Sequence, residues 1–474
     1  MIAQLLNRQF IIEQMQQIHE QLRKDAENRR TGGRDVPDLQ SSDYAEALAY
    51  VEASLAREQA GTSGQRGFTP PPPERRGDLP AELDDYSFIS RDPIVSLTQS
   101  ALESYLDHSE SPENAVEQAP QDDARRGPDD DIAVTDRSLP ESEPRRNLEG
   151  RRLFDQFSIT DVGWVSSLVA MGVRNFRKPH GFNDKPANPT KLGDSARLIL
   201  VGDWGTGIPR AQKVAAAMRG YVEEGMRAKR DVHVVHLGDV YYSGWDYEYR
   251  KRFLRYWPVK QTEAEQVGSW CLNANHDMYS GGYGYFDDLL ADARFRRQGR
   301  SSFFRCYNQA WQILGLDTAW DDNGLKDPQA DWIKHVLEQN AQKTILLTHH
   351  QFFSAYDPGP DVGKVLTQKI GPVLNSGRAR VAFWGHEHRC VFYEPYHGIE
   401  YGRLVGHGGV PVYMTHGTGD PFPKPANYEY RGYFDKGLER WALFGFAVLD
   451  FDGPTIHARY VDENSLTHKQ ETIS

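Results

Sequence analysis

The chain has little of what marks an exported, membrane-embedded or nucleic-acid-binding protein. Its 474 residues include only three cysteines, Cys271, Cys306 and Cys390. Three cysteines build no disulfide framework and read as reduced core residues of a cytoplasmic protein. Long apolar runs are missing as well. The most apolar early window, Val162 to Val173, is too short to span a bilayer, and Met1 to Arg8 holds no positive segment leading into an apolar one. Neither a membrane partner nor a secretory signal is therefore expected. There is no basic excess either: the net charge is −12, which argues against nucleic acid as a partner. Residues 108–146 are poor in aromatics and carry the acidic runs Asp122-Asp123 and Asp129-Asp130-Asp131. Such a stretch cannot bury enough apolar area to offset its ordering entropy and reads as disordered.

What is present divides into a helical lead and a motif-rich remainder. Ile11, Met15, Ile18 and Leu22 recur at helical spacing, as do Tyr44, Leu48, Val51 and Leu55, which predicts a helical hairpin over 1–60. Asp43 and Glu46 resemble a capping box at the start of the second helix. The apolar seam must be buried on itself, on the rest of the chain or in a protein partner. Residues 61–150 read as a largely disordered Pro/Arg-rich and acidic linker, stiffened by Pro70 to Pro73. One helix interrupts it near 92–106, with Asp92 as N-cap, Pro93 in the first turn, and Ile94, Leu97, Ala101 and Tyr105 on one face. Residues 151–195 form a helical lead-in through Trp164, Leu168 and Met171.

From 196 the pattern becomes strand, loop, helix. Strands are expected at Arg197–Val201, Val232–Leu237, Trp270–Ala274, Ala310–Leu316, Thr344–Thr348 and Val381–Trp384. Helices follow Pro209 and the Asp327-Pro328 pair. Val410–Met414, Phe444–Phe451 and Ile456–Tyr460 are strands without long intervening helices. This order predicts an α/β fold with two sheets packed face to face and helices outside, a four-layer α/β-β/α sandwich over 196–474.

The polar residues that end these strands carry the chemistry. They are Gly202-Asp203-Trp204-Gly205, Gly238-Asp239-Val240-Tyr241-Tyr242, Asn275-His276-Asp277, His349-His350 and Gly385-His386-Glu387-His388. The carboxyl ends of parallel strands are where open α/β sheets gather their sites. Carboxylates, imidazoles, an amide and a phenol suit two adjacent cations, and such a pair suits phosphoryl chemistry. Asp239 has two oxygens and can bridge cations about 3.5–4 Å apart. Tyr242 offers a phenolate, while Tyr241 reads as packing beneath the loop. Asn275 offers a neutral oxygen. His276 reads as a proton donor, with Asp277 holding its ring. His386 and His388 both reach one centre from an extended segment. The last imidazole comes from either His349 or His350.

Taken together, these blocks resemble the calcineurin-like metallophosphoesterase superfamily, and within it the purple acid phosphatase branch. The general superfamily pattern has a histidine where Gly205 stands here. The purple-type pattern reads Gly-Asp-Trp-Gly and then Gly-Asp-x-x-Tyr, as Gly202–Gly205 and Gly238–Tyr242 do. The resemblance covers roughly Arg197 to Asp450 and implies Asp203, Asp239, Tyr242 and His388 as ligands of one metal. It implies Asp239, Asn275, His349 and His386 for the second, with iron paired with iron, zinc or manganese. His276 matches the leaving-group acid. Gln351 and Ala274 depart from the family's usual Pro and Gly. The implied activity is hydrolysis of phosphate monoesters by a metal-bound hydroxide. The alternatives are a phosphodiesterase acting on cyclic nucleotides or nucleic-acid ends, and a non-catalytic partner-binding scaffold engaged through the N-terminal helices.

Overall fold

The structure, a computed structural model, describes residues 8–28, 39–59, 89–109, 162–357, 362–436 and 439–474. The linker expected over 61–79, all but the first two residues of the stretch 108–146 expected to be disordered, and the first part of the lead-in lie outside the described residues, as do the side chains of Tyr105 and Trp164.

Four helices come first: α1 (Arg8–Asn28), α2 (Ser41–Gln59), α3 (Pro93–Ser109) and α4 (Val162–Arg177). The two seams read from the sequence meet in one apolar core. Ile11, Met15, Ile18 and Leu22 pack with Tyr44, Val51 and Leu55, with Ile94, Leu97 and Ala101 of α3, and with Val165, Val169 and Val173 of α4. The seam is thus covered by the chain itself. Each fully buried aliphatic side chain contributes roughly 1.5–3 kcal/mol. At the start of α3, Asp92 Oδ1 accepts from the backbone N–H of Ile94 at 2.9 Å and of Val95 at 3.3 Å, as an N-cap does. The capping expectation for α2 is off by one turn. Asp43 sits inside the helix, and its carboxylate reaches back to the Gln40 N–H at 2.6 Å. Asp43 therefore serves the glutamate end of such a box and not the cap itself.

The remainder is built on two main sheets. Strands β1 (Thr190–Lys191), β2 (Arg197–Val201), β3 (Val232–His236), β4 (Gly268–Cys271), β5 (Phe304–Tyr307), β6 (Trp311–Gly315), β7 (Lys343–Thr348) and β8 (Val381–Trp384) come first. Then follow β9 (Cys390–Tyr393), β10 (Tyr401–Val405), β11 (Ala426–Glu429), β12 (Tyr433–Lys436), β13 (Glu439–Ala442), β14 (Gly445–Asp452), β15 (Thr455–Asp462) and β16 (Thr467–Ile473). One sheet has the order β1-β5-β6-β7-β8-β10-β9-β11 and the other β16-β15-β14-β2-β3-β4, with β12 and β13 a separate pair. Within them β2-β3-β4 and β6-β7-β8-β10 run parallel.

The inner faces share one core: Leu198, Leu200, Val235 and Trp270 pack with Ile313, Ile345, Leu347 and Phe383. Outside one sheet lies α5 (Pro209–Arg227), with Val214, Met218 and Val222 against Ile199 and Val234. Outside the other lie α7 (Gln329–Gln339) and α8 (Lys364–Asn375), with Ile333, Leu366 and Ile370 against Leu314 and Leu346. A five-residue helix, α6 (Asn275–Tyr279), precedes these two in the chain. The result is helix, sheet, sheet, helix.

Two differences from the sequence reading have simple causes. Val410–Met414 is no strand; it makes an isolated bridge from Tyr413 to Trp441, and Pro411 has no N–H to lend a ladder. Helix α8 escaped notice because Gly371 and Pro372 sit inside it and read as breakers.

Candidate metal centre

Asp203, Asp239, Asn275, His349 and His386 lie just beyond the carboxyl ends of β2, β3, β4, β7 and β8, so both sheets feed one site. Aiming them there bends the backbone. Asp203 (φ 56°), Asp239 (φ 79°), His386 (φ 77°) and His388 (φ 53°) are all left-handed. Such conformations cost on the order of 1–3 kcal/mol each and persist where the surroundings over-determine them. The loops also approach closely: a Cβ on Gly385 would lie 2.6 Å from Asp203 Oδ2, so only glycine fits between them.

The donor atoms converge in two overlapping groups. In the first, the Tyr241 hydroxyl lies 2.9 Å from Asp239 Oδ2, 3.2 Å from Asp203 Oδ1 and 3.1 Å from His388 Nε2. In the second, His349 Nε2 lies 2.9 Å from Asn275 Oδ1, 3.1 Å from His386 Nδ1 and 3.4 Å from Asp239 Oδ2. Asp239 Oδ2 thus faces both groups. The other nitrogen of His349 sits 3.0 Å from the Leu237 carbonyl, which makes Nδ1 the donor and leaves the Nε2 lone pair for the centre.

Electrostatics point the same way. Burial works against ionisation of Asp239, but His349, His276 and His388 outweigh it and hold its carboxyl well below the usual range. Burial, and then the charge of Asp239, push the Asp203 carboxyl well above that range. Burial also lowers the pKa of His386 and His350, leaving their lone pairs available. A buried acid that resists ionising next to an ionised one, beside two neutral imidazoles, is short of positive charge. The donor set therefore fits two hard or borderline cations.

Three expectations need correction or extension. Tyr242 does not join the donors. Its ring packs in the apolar core shared with the N-terminal helices, with the Arg252 guanidinium carbon 5.1 Å from the ring centroid. Neighbouring side chains on this turn diverge, and the one facing the carboxylates is Tyr241, expected only as packing. Asp277 does not hold the His276 ring. It accepts from the Val240 N–H at 3.0 Å and the Tyr249 hydroxyl at 2.7 Å, and so fixes the loop that carries Asp239. His276 Nδ1 instead lies 2.6 Å from the Tyr242 carbonyl, and the His276 N–H donates to Asp239 Oδ1 at 3.2 Å. His350 stands beside the second group, its ring 4.7 Å from that of His386, but its Nδ1 is 3.0 Å from Thr318 Oγ1.

Farther from the donors, His416 pairs with Glu429 at 2.8 Å, and His407 is buried near Cys390 and His468. One residue at the site gave no motif signal. Arg91, just ahead of α3, donates to the His386 carbonyl, and its own carbonyl accepts from the Tyr279 hydroxyl at 2.6 Å.

Comparison with known proteins bears on the domain and its fold. Residues 196–390 match the calcineurin-like phosphoesterase family. No curated protein matches. Among solved structures, the chain is similar to GAP50, described as the anchor in the inner membrane complex of Plasmodium. That likeness is at 12% identity and TM-score 0.42, over 59% of this chain and 89% of the other. It is similar to a dimetal phosphatase from Danio rerio at 12% identity and TM-score 0.39, over 59% and 99%. Vacuolar Protein Sorting 29 from Cryptosporidium parvum follows at 11% identity and TM-score 0.28, over 59% and 96%. Among the described residues no helix is long and apolar enough to cross a membrane. The part of this chain that is similar to calcineurin-like phosphoesterases is thus the two-sheet region over 196–390, which stands behind a four-helix lead.

Proposed function

We propose that this chain is a dinuclear metal-dependent phosphatase of the purple acid phosphatase type, acting on phosphate monoesters. The observation that carries the reading is the position of Asp239, whose Oδ2 lies between the Tyr241 hydroxyl at 2.9 Å and His349 Nε2 at 3.4 Å. Asp203, Asp239, Tyr241 and His388 would hold one cation, and Asp239, Asn275, His349 and His386 the other. Bound there, two cations supply charge that polarises the phosphoryl group and acidifies water. The chain's own residues do the rest. Asp277 fixes the turn through the Val240 N–H, which keeps the Asp239 carboxylate in register between the two sheets. His276, its Nδ1 tied to the Tyr242 carbonyl, keeps Nε2 for the departing oxygen, to which it gives a proton when the imidazole is charged.

Metal analysis and a phosphate-ester panel on the full-length protein test the assignment. Two metal equivalents per chain and turnover of monoesters are expected. A metal-loaded protein that cleaves only diesters, or nothing, would sink it. His276→Ala should slow alkyl phosphates far more than activated aryl phosphates, whose leaving groups need no proton; equal losses would remove His276 from the acid role. With ferric iron bound, the Tyr241 phenolate should give a visible charge-transfer band that Tyr241→Phe abolishes and Tyr242→Phe keeps.

A further inference from the structure

We propose that Arg91 is a binding residue for the substrate's phosphate, so that the N-terminal helices complete the pocket with an anion-binding wall. This rests on the phosphatase reading above.

The backbone at Arg91 is clamped from both sides. Behind it, Asp92 caps α3, accepts from Ser54 Oγ at 2.7 Å and pairs with Arg57 at 2.6 Å, which ties the bend to α2. In front, the Tyr279 hydroxyl donates to the Arg91 carbonyl at 2.6 Å and accepts from Asn275 Nδ2 at 2.8 Å. The bend that presents Arg91 is therefore in hydrogen-bonded contact with a proposed metal ligand, and the guanidinium is held with little freedom.

The guanidinium itself is only partly satisfied. One arm donates to the His386 carbonyl, while Nη1 is buried with no hydrogen-bond partner. Among the described residues no carboxylate lies within ion-pair distance of it. A buried, unpaired donor arm is costly and calls for an acceptor. The nearest carboxylates, Asp203 and Glu387, feel its charge but make no ion pair with it, so neither satisfies the free arm.

A fixed positive charge beside two cations is repulsive unless an anion sits between them. The forked N–H geometry of arginine matches two oxygens of one phosphate, and an ionised pair strengthens both bonds. The ligand class that satisfies all three charges at once is the phosphate monoester dianion. A diester carries one charge fewer and one free oxygen fewer, so it gains less from Arg91. On this account the N-terminal helices set the preference for monoesters, and the site is incomplete without them.

The test uses the full-length, metal-loaded protein with Arg91→Ala and Arg91→Lys. Three quantities are read: metal content, calorimetric affinity for inorganic phosphate, and KM and kcat for a monoester and a diester. Arg91→Ala should keep two metals, weaken phosphate binding about tenfold or more, and lower the monoester-to-diester ratio of kcat/KM. Arg91→Lys should recover part of the phosphate affinity. Unchanged phosphate affinity would overturn the proposal, as would tighter binding with faster turnover, which would make Arg91 a plug. Loss of metal in both variants would overturn it too, by reducing Arg91 to a pin for the His386 loop. If the unaltered protein bound phosphate through Arg91 but cleaved no ester, the phosphatase reading would fail while the phosphate site stood.

Discussion

The four N-terminal helices and the two-sheet domain are held together by different means. The helices rely on interchangeable apolar contacts such as Ile11, Met15, Leu22 and Val51, where volume matters more than identity. The domain's site relies on single residues in costly conformations: Asp203, Asp239, His386 and His388 are left-handed, and Gly385 fits where no side chain can. A bundle built this way tolerates substitution, whereas a site built this way does not. The two meet on the loop after β3, where Tyr241 turns to the carboxylates and Tyr242 to the helices.

The largest contrast comes from Asp239→Asn. It should lower monoester turnover roughly a thousandfold or more, about 4 kcal/mol, with loss of bound metal and a melting temperature close to that of the metal-free protein. Substantial activity with full metal content would show that Asp239 is not shared between the cations. Leu22→Ala should do the reverse, costing about 2–5 kcal/mol of stability by opening a cavity. If the helices and the domain unfold as one unit, that loss appears in a single calorimetric transition; two separate transitions would mean that the bundle is autonomous. Next in size, Tyr241→Phe should cut kcat by about ten- to a hundredfold, some 1.4–2.7 kcal/mol, through the lost phenol oxygen. Tyr242→Phe should leave kcat within about threefold, under roughly 1 kcal/mol. A reversal of that order would return the ligand role to Tyr242.

The smallest effect concerns Glu248, which accepts from the N–H groups of Tyr242 at 2.6 Å and Ser243 at 3.1 Å and from Ser100 Oγ at 2.8 Å. Burial raises its pKa from 4.5 to about 7 against the pull of those hydrogen bonds. Between those values the folded state keeps a proton that the unfolded state has lost, so this group's contribution to stability falls as pH rises from 4.5 to about 7 and is flat above. Glu248→Gln should remove that decline from the melting-temperature profile. A profile of unchanged shape would assign the slope elsewhere.

The layered architecture was legible because periodicity and strand-end position report directly on burial. Arg197–Val201 and Val381–Trp384 have the same bounds as β2 and β8, each buried along its whole length. Polar edge strands such as β16, Thr467–Ile473, send no such signal because every residue but the last is at least partly exposed to solvent. At the site, spacing identified which strand ends bear ligands but not which of two adjacent tyrosines turns inward. That choice depends on the helices packed behind the loop. Arg91 was invisible for a stronger reason: it comes from a distant segment, and nothing in Ser90-Arg91-Asp92-Pro93 announces anything beyond a helix start.

The bond from Ser100 on α3 to Glu248 bears on how the protein is handled at the bench. A shortened chain beginning near Leu153 would keep α4 but strip away α1, α2 and α3. It would expose the apolar faces of Tyr242 and Val410 to water and leave Glu248 without the Ser100 hydroxyl. Such a fragment would clump on expression and lack the Arg91 side of its own pocket. An inactive preparation of it would then be a fact about missing support and not about the chemistry of the domain.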